Sequence, residues 1–153
     1  MFKYPVLINL SLLMIFIISC AANKKQYDQG ITGKVMWYEG NFMPAIGDDA
    51  NRSKPVGISR TLYIFEPISA ESVDITNRVW LSVIDKKPFK TVKSDESGNF
   101  KVSLPPGKYT IVSKEEKGYY VNRFDGDNII NPVKVDKDKW TEIEVKLDYK
   151  AAY

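Results

Sequence analysis

An all-β sandwich is the fold class this sequence predicts, and three observations carry the prediction. Residues 91–112 read as three short strands separated by two tight turns. Alternating apolar and polar runs recur every ten residues or so along the rest of the chain, and no stretch keeps a helical period. The central run is the clearest. Phe100, Val102 and Leu104 point one way while Asn99, Lys101 and Ser103 point the other. Asp95-Glu96-Ser97-Gly98 before it is turn chemistry, with Gly98 free to take a positive φ. Pro105-Pro106-Gly107 ends it, since neither proline can donate to a ladder. Lys108–Val112 then resumes with Tyr109 and Ile111 on one face, which predicts a hairpin packed against the last strand.

The other elements follow in chain order. Ile31–Trp37 is the first predicted strand, with Ile31, Val35 and Trp37 on one parity and a bulge expected near Gly33. Glu39–Gly57 holds Gly40, Pro44, Gly47, Pro55 and Gly57 and keeps no strand or helix pattern. A loop that long is unusual. It carries Phe42, Met43 and Ile46 beside Asp48 and Asp49, so it either caps one end of the core or presents these side chains to a partner. Thr61–Phe65 alternates apolar residues on both faces and is expected to be covered on both sides or to lie centrally in its sheet. Ser69-Ala70-Glu71-Ser72 is compatible with a helical turn, and Arg78–Ile84 with a third strand. Later come Tyr119-Tyr120-Val121, the polar turn Arg123–Asn128, a short strand at Pro132–Val135 and a long one at Trp140–Tyr149. That last strand turns Ile143, Val145, Leu147 and Tyr149 inward.

The first residues stand outside this domain. Lys3 precedes an apolar run from Pro5 to Ile18 that is too short to span a bilayer and fits the core of an export signal. It ends in Ile17-Ile18-Ser19-Cys20, which resembles the bacterial lipobox. That resemblance implies removal of residues 1–19, lipidation of Cys20 as the new N-terminus, and a membrane anchor. The other reading is an ordinary signal cut near Ala21 or Ala22. Residues 20–29 form the expected tether and 30–153 the domain. Ala21, where aspartate would retain a lipoprotein at the inner membrane, points to the outer membrane.

The pattern Thr91-x-x-Ser-Asp-x-x-Gly-Asn-Phe-x-Val-x-Leu-Pro-Pro-Gly-x-Tyr-Thr-Ile, with Gly33-x-Val35 upstream, resembles the carboxypeptidase regulatory-like domain. The resemblance implies a seven-stranded transthyretin-like (prealbumin-like) sandwich. It also implies a non-catalytic accessory or adhesive module, with no catalytic residues to carry over. The insertions at Glu39–Gly57 and Ile68–Arg78 depart from the minimal domain.

Composition narrows the chemistry. The chain has no histidine, which excludes a Ser-His-Asp triad and His-based zinc or haem sites. Cys20 is its only cysteine, and lipidation would remove it from thiol chemistry. No cofactor is expected. The formal charge of +3 is spread through mixed runs such as Lys114-Glu115-Glu116-Lys117, so no basic stripe exists for nucleic acid. Paired carboxylates could come from Asp48, Asp49, Asp125 and Asp127, but their spacing selects no catalysis. Asp125-Gly126-Asp127-Asn128 and Asp95-Glu96 read as turn residues, with calcium as the other reading, and no EF-hand ladder is present. Aromatic residues are frequent, and Tyr119, Tyr120 and Trp140, with Trp37 and Tyr38, are candidate glycan contacts. The expected role is a lipid-anchored interaction or structural module of the cell envelope with a protein partner. Surface glycan binding is the alternative.

Overall fold

The computed structural model describes residues 27–43 and 53–153. These residues form an all-β sandwich of two sheets. In chain order the strands are β1 (Gly30–Asn41), β2 (Val56–Gly57), β3 (Thr61–Phe65), β4 (Ile75–Thr76), β5 (Trp80–Leu81), β6 (Lys90–Lys93), β7 (Asn99–Ser103), β8 (Gly107–Glu115), β9 (Gly118–Tyr120), β10 (Pro132–Val135) and β11 (Trp140–Ala152). One sheet has four strands and the other seven. The total of eleven exceeds the expected seven, and four of the strands, β2, β4, β5 and β9, are only two or three residues long. The only described helix is a 3₁₀ turn at Ala70–Ser72, where Ser69 Oγ accepts from the Glu71 N–H, so the ambiguous segment is a helical turn. No described helix is long and apolar enough to cross a membrane.

The smaller sheet is built around β1. It pairs parallel with β11 on one side and antiparallel with β7 and β2 on the other. The bulge expected at Gly33 is absent there. The register runs unbroken from Gly30↔Trp140 to Trp37↔Leu147 and shifts only between Trp37 and Glu39. Gly33 is needed for another reason: a Cβ on it would lie 1.8 Å from the Ile143 carbonyl oxygen. The loop after β1 is shorter than the sequence suggests, because β1 continues to Asn41 and β2 returns to pair with it.

The larger sheet runs β4-β5-β9-β8-β3-β6, with β10 also paired to β8. β3 lies inside it, between β6 and β8, and is covered on both faces as expected. Leu62 and Ile64 enter the main core between the sheets, while Phe65 and the partly covered Tyr63 belong to a second cluster on the outer face. That second cluster, with Ile68, Leu81, Val112, Val121 and Ile130, is closed by the long connections.

The predicted β7–β8 hairpin does not form. β7 pairs with β1 and β8 with β3, so Pro105-Pro106 carries the chain from one sheet to the other. Tyr109 Oη donates to the Pro105 carbonyl at 2.8 Å and pins this corner. The preceding turn also crosses between sheets, and its Asp95 Oδ1 accepts from the Asn99 N–H at 2.8 Å. The inward residues still meet as the alternation requires. Phe100, Val102, Leu104, Tyr109, Ile111 and Leu147 are all buried in the main core. A second correction concerns Arg78–Ile84, of which only Trp80–Leu81 is strand. Asn77 and Arg78 take φ of 51° and 64°, which spends the start of the run on a turn, and Val83 is 71% exposed.

Residues 27–29, read as the end of the tether, are held by the domain. The Tyr27 N–H donates to Ser103 Oγ at 2.7 Å, and Gln29 is buried with its Oε1 accepting from the Asp138 N–H.

Candidate functional site

The inward parity of β8 begins apolar and ends polar. Tyr109 and Ile111 fill the core, and the same face continues with Ser113 and Glu115. Ser113 is 1% exposed, and the Glu115 side chain only 6%. Glu115 Oε2 accepts from Tyr149 Oη at 2.9 Å and from Arg60 Nε at 3.2 Å. Glu115 Oε1 and Ser113 Oγ are buried and find no partner among the described residues. Burying a polar atom unpaired costs about 1–3 kcal/mol, so two on one strand face call for a physical reason.

Both line hollows on the flank of the sandwich, along the edge strand β11. Ser113 lines a hollow of about 400 Å³ that includes Tyr120, Asn122, Arg123 and Asp148. Glu115 lines one of about 380 Å³ with Trp37, Arg60, Trp80, Lys117 and Tyr149. A third hollow, about 450 Å³, connects them, sharing Tyr120, Asn122 and Asp148 with the first and Trp80, Lys117 and Tyr149 with the second. Each has the volume of an ordinary small-molecule site.

Rings form the wall between the hollows. Trp80 and Tyr149 lie 4.9 Å apart, Trp80 and Tyr120 5.2 Å, and Tyr120 and Tyr149 5.1 Å; Trp37 joins edge-on to Tyr149 at 4.9 Å. Tilted and edge-to-face rings at these distances hold one another rigidly. Asp148 ties the groove together. It accepts from Tyr120 Oη at 2.6 Å, Tyr153 Oη at 3.0 Å and Asn122 Nδ2 at 3.3 Å, and it pairs with Lys146 Nζ at 3.2 Å. Burial pushes its carboxyl up, but the hydrogen bonds from Tyr120, Lys146, Asn122 and Tyr153 outweigh that and hold it below the usual aspartate value. The tyrosines move the other way. Burial, then the bond to Glu115, lifts Tyr149 to about 12, and burial followed by the Asp148 bond raises Tyr120 as well.

The residues predicted from sequence are placed apart. Tyr120 is buried in the main core, whereas Tyr119 faces the second cluster, edge-on to Tyr63 at 5.6 Å. Trp140 stands at the start of β11 with Lys101 Nζ 4.1 Å from its ring centroid. These three share no platform for a sugar ring. Trp37 lines the Glu115 hollow, and Tyr38 donates to Glu144 Oε1 at 2.8 Å. Phe42 folds back on Tyr38 and the exposed Tyr153, with ring centroids 5.2 and 6.1 Å away, and joins neither core cluster. Met43 is half exposed. Cys20, Ile46, Asp48 and Asp49 lie outside the described residues.

The acidic turns are closed internally. Asp125 Oδ1 accepts from the Asp127 and Ile129 N–H groups, and Lys108 Nζ pairs with both Asp125 and Asp127. The Lys108 bond, followed by the Ile129 N–H, holds Asp125 below its usual value. Asp95 is likewise lowered, chiefly by the Asn99 side chain. Both turns are therefore complete as local hydrogen-bonded structures.

The groove escaped the sequence reading because Lys114-Glu115-Glu116-Lys117 reads as a solvated turn. The signal was present. Extending the Tyr109–Ile111 parity by four residues brings Ser113 and Glu115 inward, and the same extension along β11 reaches Tyr149. No family model, no curated protein and no solved structure matches the chain.

Proposed function

We propose that this chain is a non-catalytic, lipid-anchored module of the bacterial cell envelope. In this reading it is a β-sandwich of the carboxypeptidase regulatory-like kind that serves by binding rather than by reaction. The observation that carries the reading is the lipobox-like Ile17-Ile18-Ser19-Cys20 standing only a few residues ahead of Tyr27, whose N–H is held by Ser103 of the sandwich. A lipidated Cys20 would hold the sandwich close to the membrane surface, and Ala21 favours the outer membrane. The sheet-crossing Pro105-Pro106 corner and the Gly98 turn give the family-like motif a structural use, which supports the resemblance. Glycan binding as the module's task is favoured by the flank groove rather than by the exposed rings.

Cys20→Ser tests the anchor. The variant should accumulate uncleaved or leave the membrane fraction, since stable anchoring takes two acyl signals or more. Processing and membrane fractionation like the parent would sink the lipoprotein reading.

A further inference from the structure

We infer that the flank groove is a binding site for an acidic oligosaccharide, a chain of hydroxyl-rich units carrying carboxylates. This rests on the reading of the protein as a binding module and adds a ligand class to it. Three observations converge.

The first is the pair of buried, unpartnered oxygens. Ser113 and Glu115 line the hollows from one strand, and their unpaired Oγ and Oε1 lie buried just behind that lining, one able to donate and accept, the other an acceptor. Vicinal hydroxyls supply both complements, whereas a purely anionic ligand offers nothing to a carboxylate. Residues two apart on a strand lie about 6.6–6.8 Å apart, so one extended ligand can reach both.

The second is charge. The three hollows are lined by seven Lys and Arg against four Asp and Glu, an excess equal to the chain's whole formal charge of +3. The rest of the chain is therefore balanced. Glu115 is already answered by Arg60 and Asp148 by Lys146, while Lys117 and Arg78 stand exposed at the rim. The site selects a ligand of negative charge.

The third is shape. The hollows follow one another along the flank, and the partly exposed Trp37 and Tyr149 line them beside the buried Trp80 and Tyr120, so they fit an elongated ligand with a flat apolar face. Recessed aromatic walls do not suit a flat anionic surface.

The test titrates the purified full chain in detergent with a uronic-acid oligosaccharide, a neutral oligosaccharide of equal length and inorganic polyphosphate. Tryptophan fluorescence and calorimetry read the binding. The uronic-acid chain should bind at least about tenfold tighter than the neutral one, roughly one charge-assisted hydrogen bond. Lys117→Glu, at an exposed turn, should weaken it by about the same factor, and Glu115→Gln should weaken the uronic-acid chain while polyphosphate binds at least as tightly as before. Equal binding of the neutral chain would overturn the ligand class and leave the binding-module reading standing. Polyphosphate binding as tight as the uronic-acid chain would reduce the groove to a bulk anion attractor and overturn the inference. Binding in no arm would also overturn it, and the anchor reading would still be decided separately by Cys20→Ser.

Discussion

Gly33 sits opposite Ile143 in the pairing of the two longest strands, and replacing it with alanine is a demanding check on the parallel β1–β11 pairing. The added Cβ would meet the Ile143 carbonyl oxygen at 1.8 Å, its carbon at 2.9 Å and the Ile143 nitrogen at 3.2 Å. All three are backbone atoms, so no side chain can swing aside. Relief requires moving one strand by more than an ångström, which opens about two ladder hydrogen bonds at about 1 kcal/mol each. Overpacking beside the fully buried Ile31 and Val35 adds about 1–3 kcal/mol. The expected loss is about 3–5 kcal/mol, a large share of the 5–15 kcal/mol typical of a domain. Gly126 is the control, since a Cβ there meets nothing within 4 Å. Gly126→Ala should be neutral or stabilise by about 0.4–1 kcal/mol through the unfolded chain. Urea denaturation of the full chain in detergent, followed by tryptophan fluorescence, reads the difference as a midpoint shift of about 2 M at an m-value of about 2 kcal/mol/M. A Gly33→Ala midpoint within about 0.5 M of the parent would mean that β1 and β11 are not paired in this register.

The strands legible in the sequence are those whose alternation is local and bounded. Thr61–Phe65 is β3, residue for residue, because Glu66-Pro67 stops it and both of its faces are apolar. Pro132–Val135 is β10 for the same kind of reason. Pairing is another matter. A period of two says which residues share a face and nothing about which strand lies alongside, so the parallel β1–β11 contact and the alternation of β6, β7 and β8 between sheets stayed hidden. Arg78–Ile84 shows the converse. Its side chains alternate well, yet Asn77 and Arg78 adopt the left-handed conformation and leave two residues of strand. The groove was obscured by composition rather than by topology. Two lysines and two glutamates in a row suggest solvent, and only strand parity turns Glu115 toward Tyr149 and Arg60.

Two perturbations probe the core and the groove floor. Phe100→Ala should cost about 3–5 kcal/mol in the same urea assay, since the ring is 5% exposed in the main core. Lys101→Ala, one residue along on the exposed face, should cost under about 1 kcal/mol, the worth of its contact with Trp140. Equal effects would exchange the two faces of β7 and refute the register. The last prediction concerns alkaline pH. Tyr149 is lifted from 10.0 to about 12, first by burial and then by donating to Glu115 Oε2, so it keeps its proton in the fold after the unfolded chain has released it. Between pH 10 and 12 the unfolded state therefore binds fewer protons than the folded one, and stability falls as pH rises. The contribution is fully present below pH 10 and is lost through that window. Tyr38, also raised to about 12 by burial and Glu144, adds to the same decline. Tyr149→Phe removes one titrating group, so its stability should start lower at pH 8, where the Glu115 bond is missing, and then fall less steeply than the parent's toward pH 12. Urea midpoints measured from pH 8 to 12 give both slopes. Parallel declines would mean that Tyr149 ionises alike in both states, and the hydrogen bond that anchors Glu115 in the groove would lose its support.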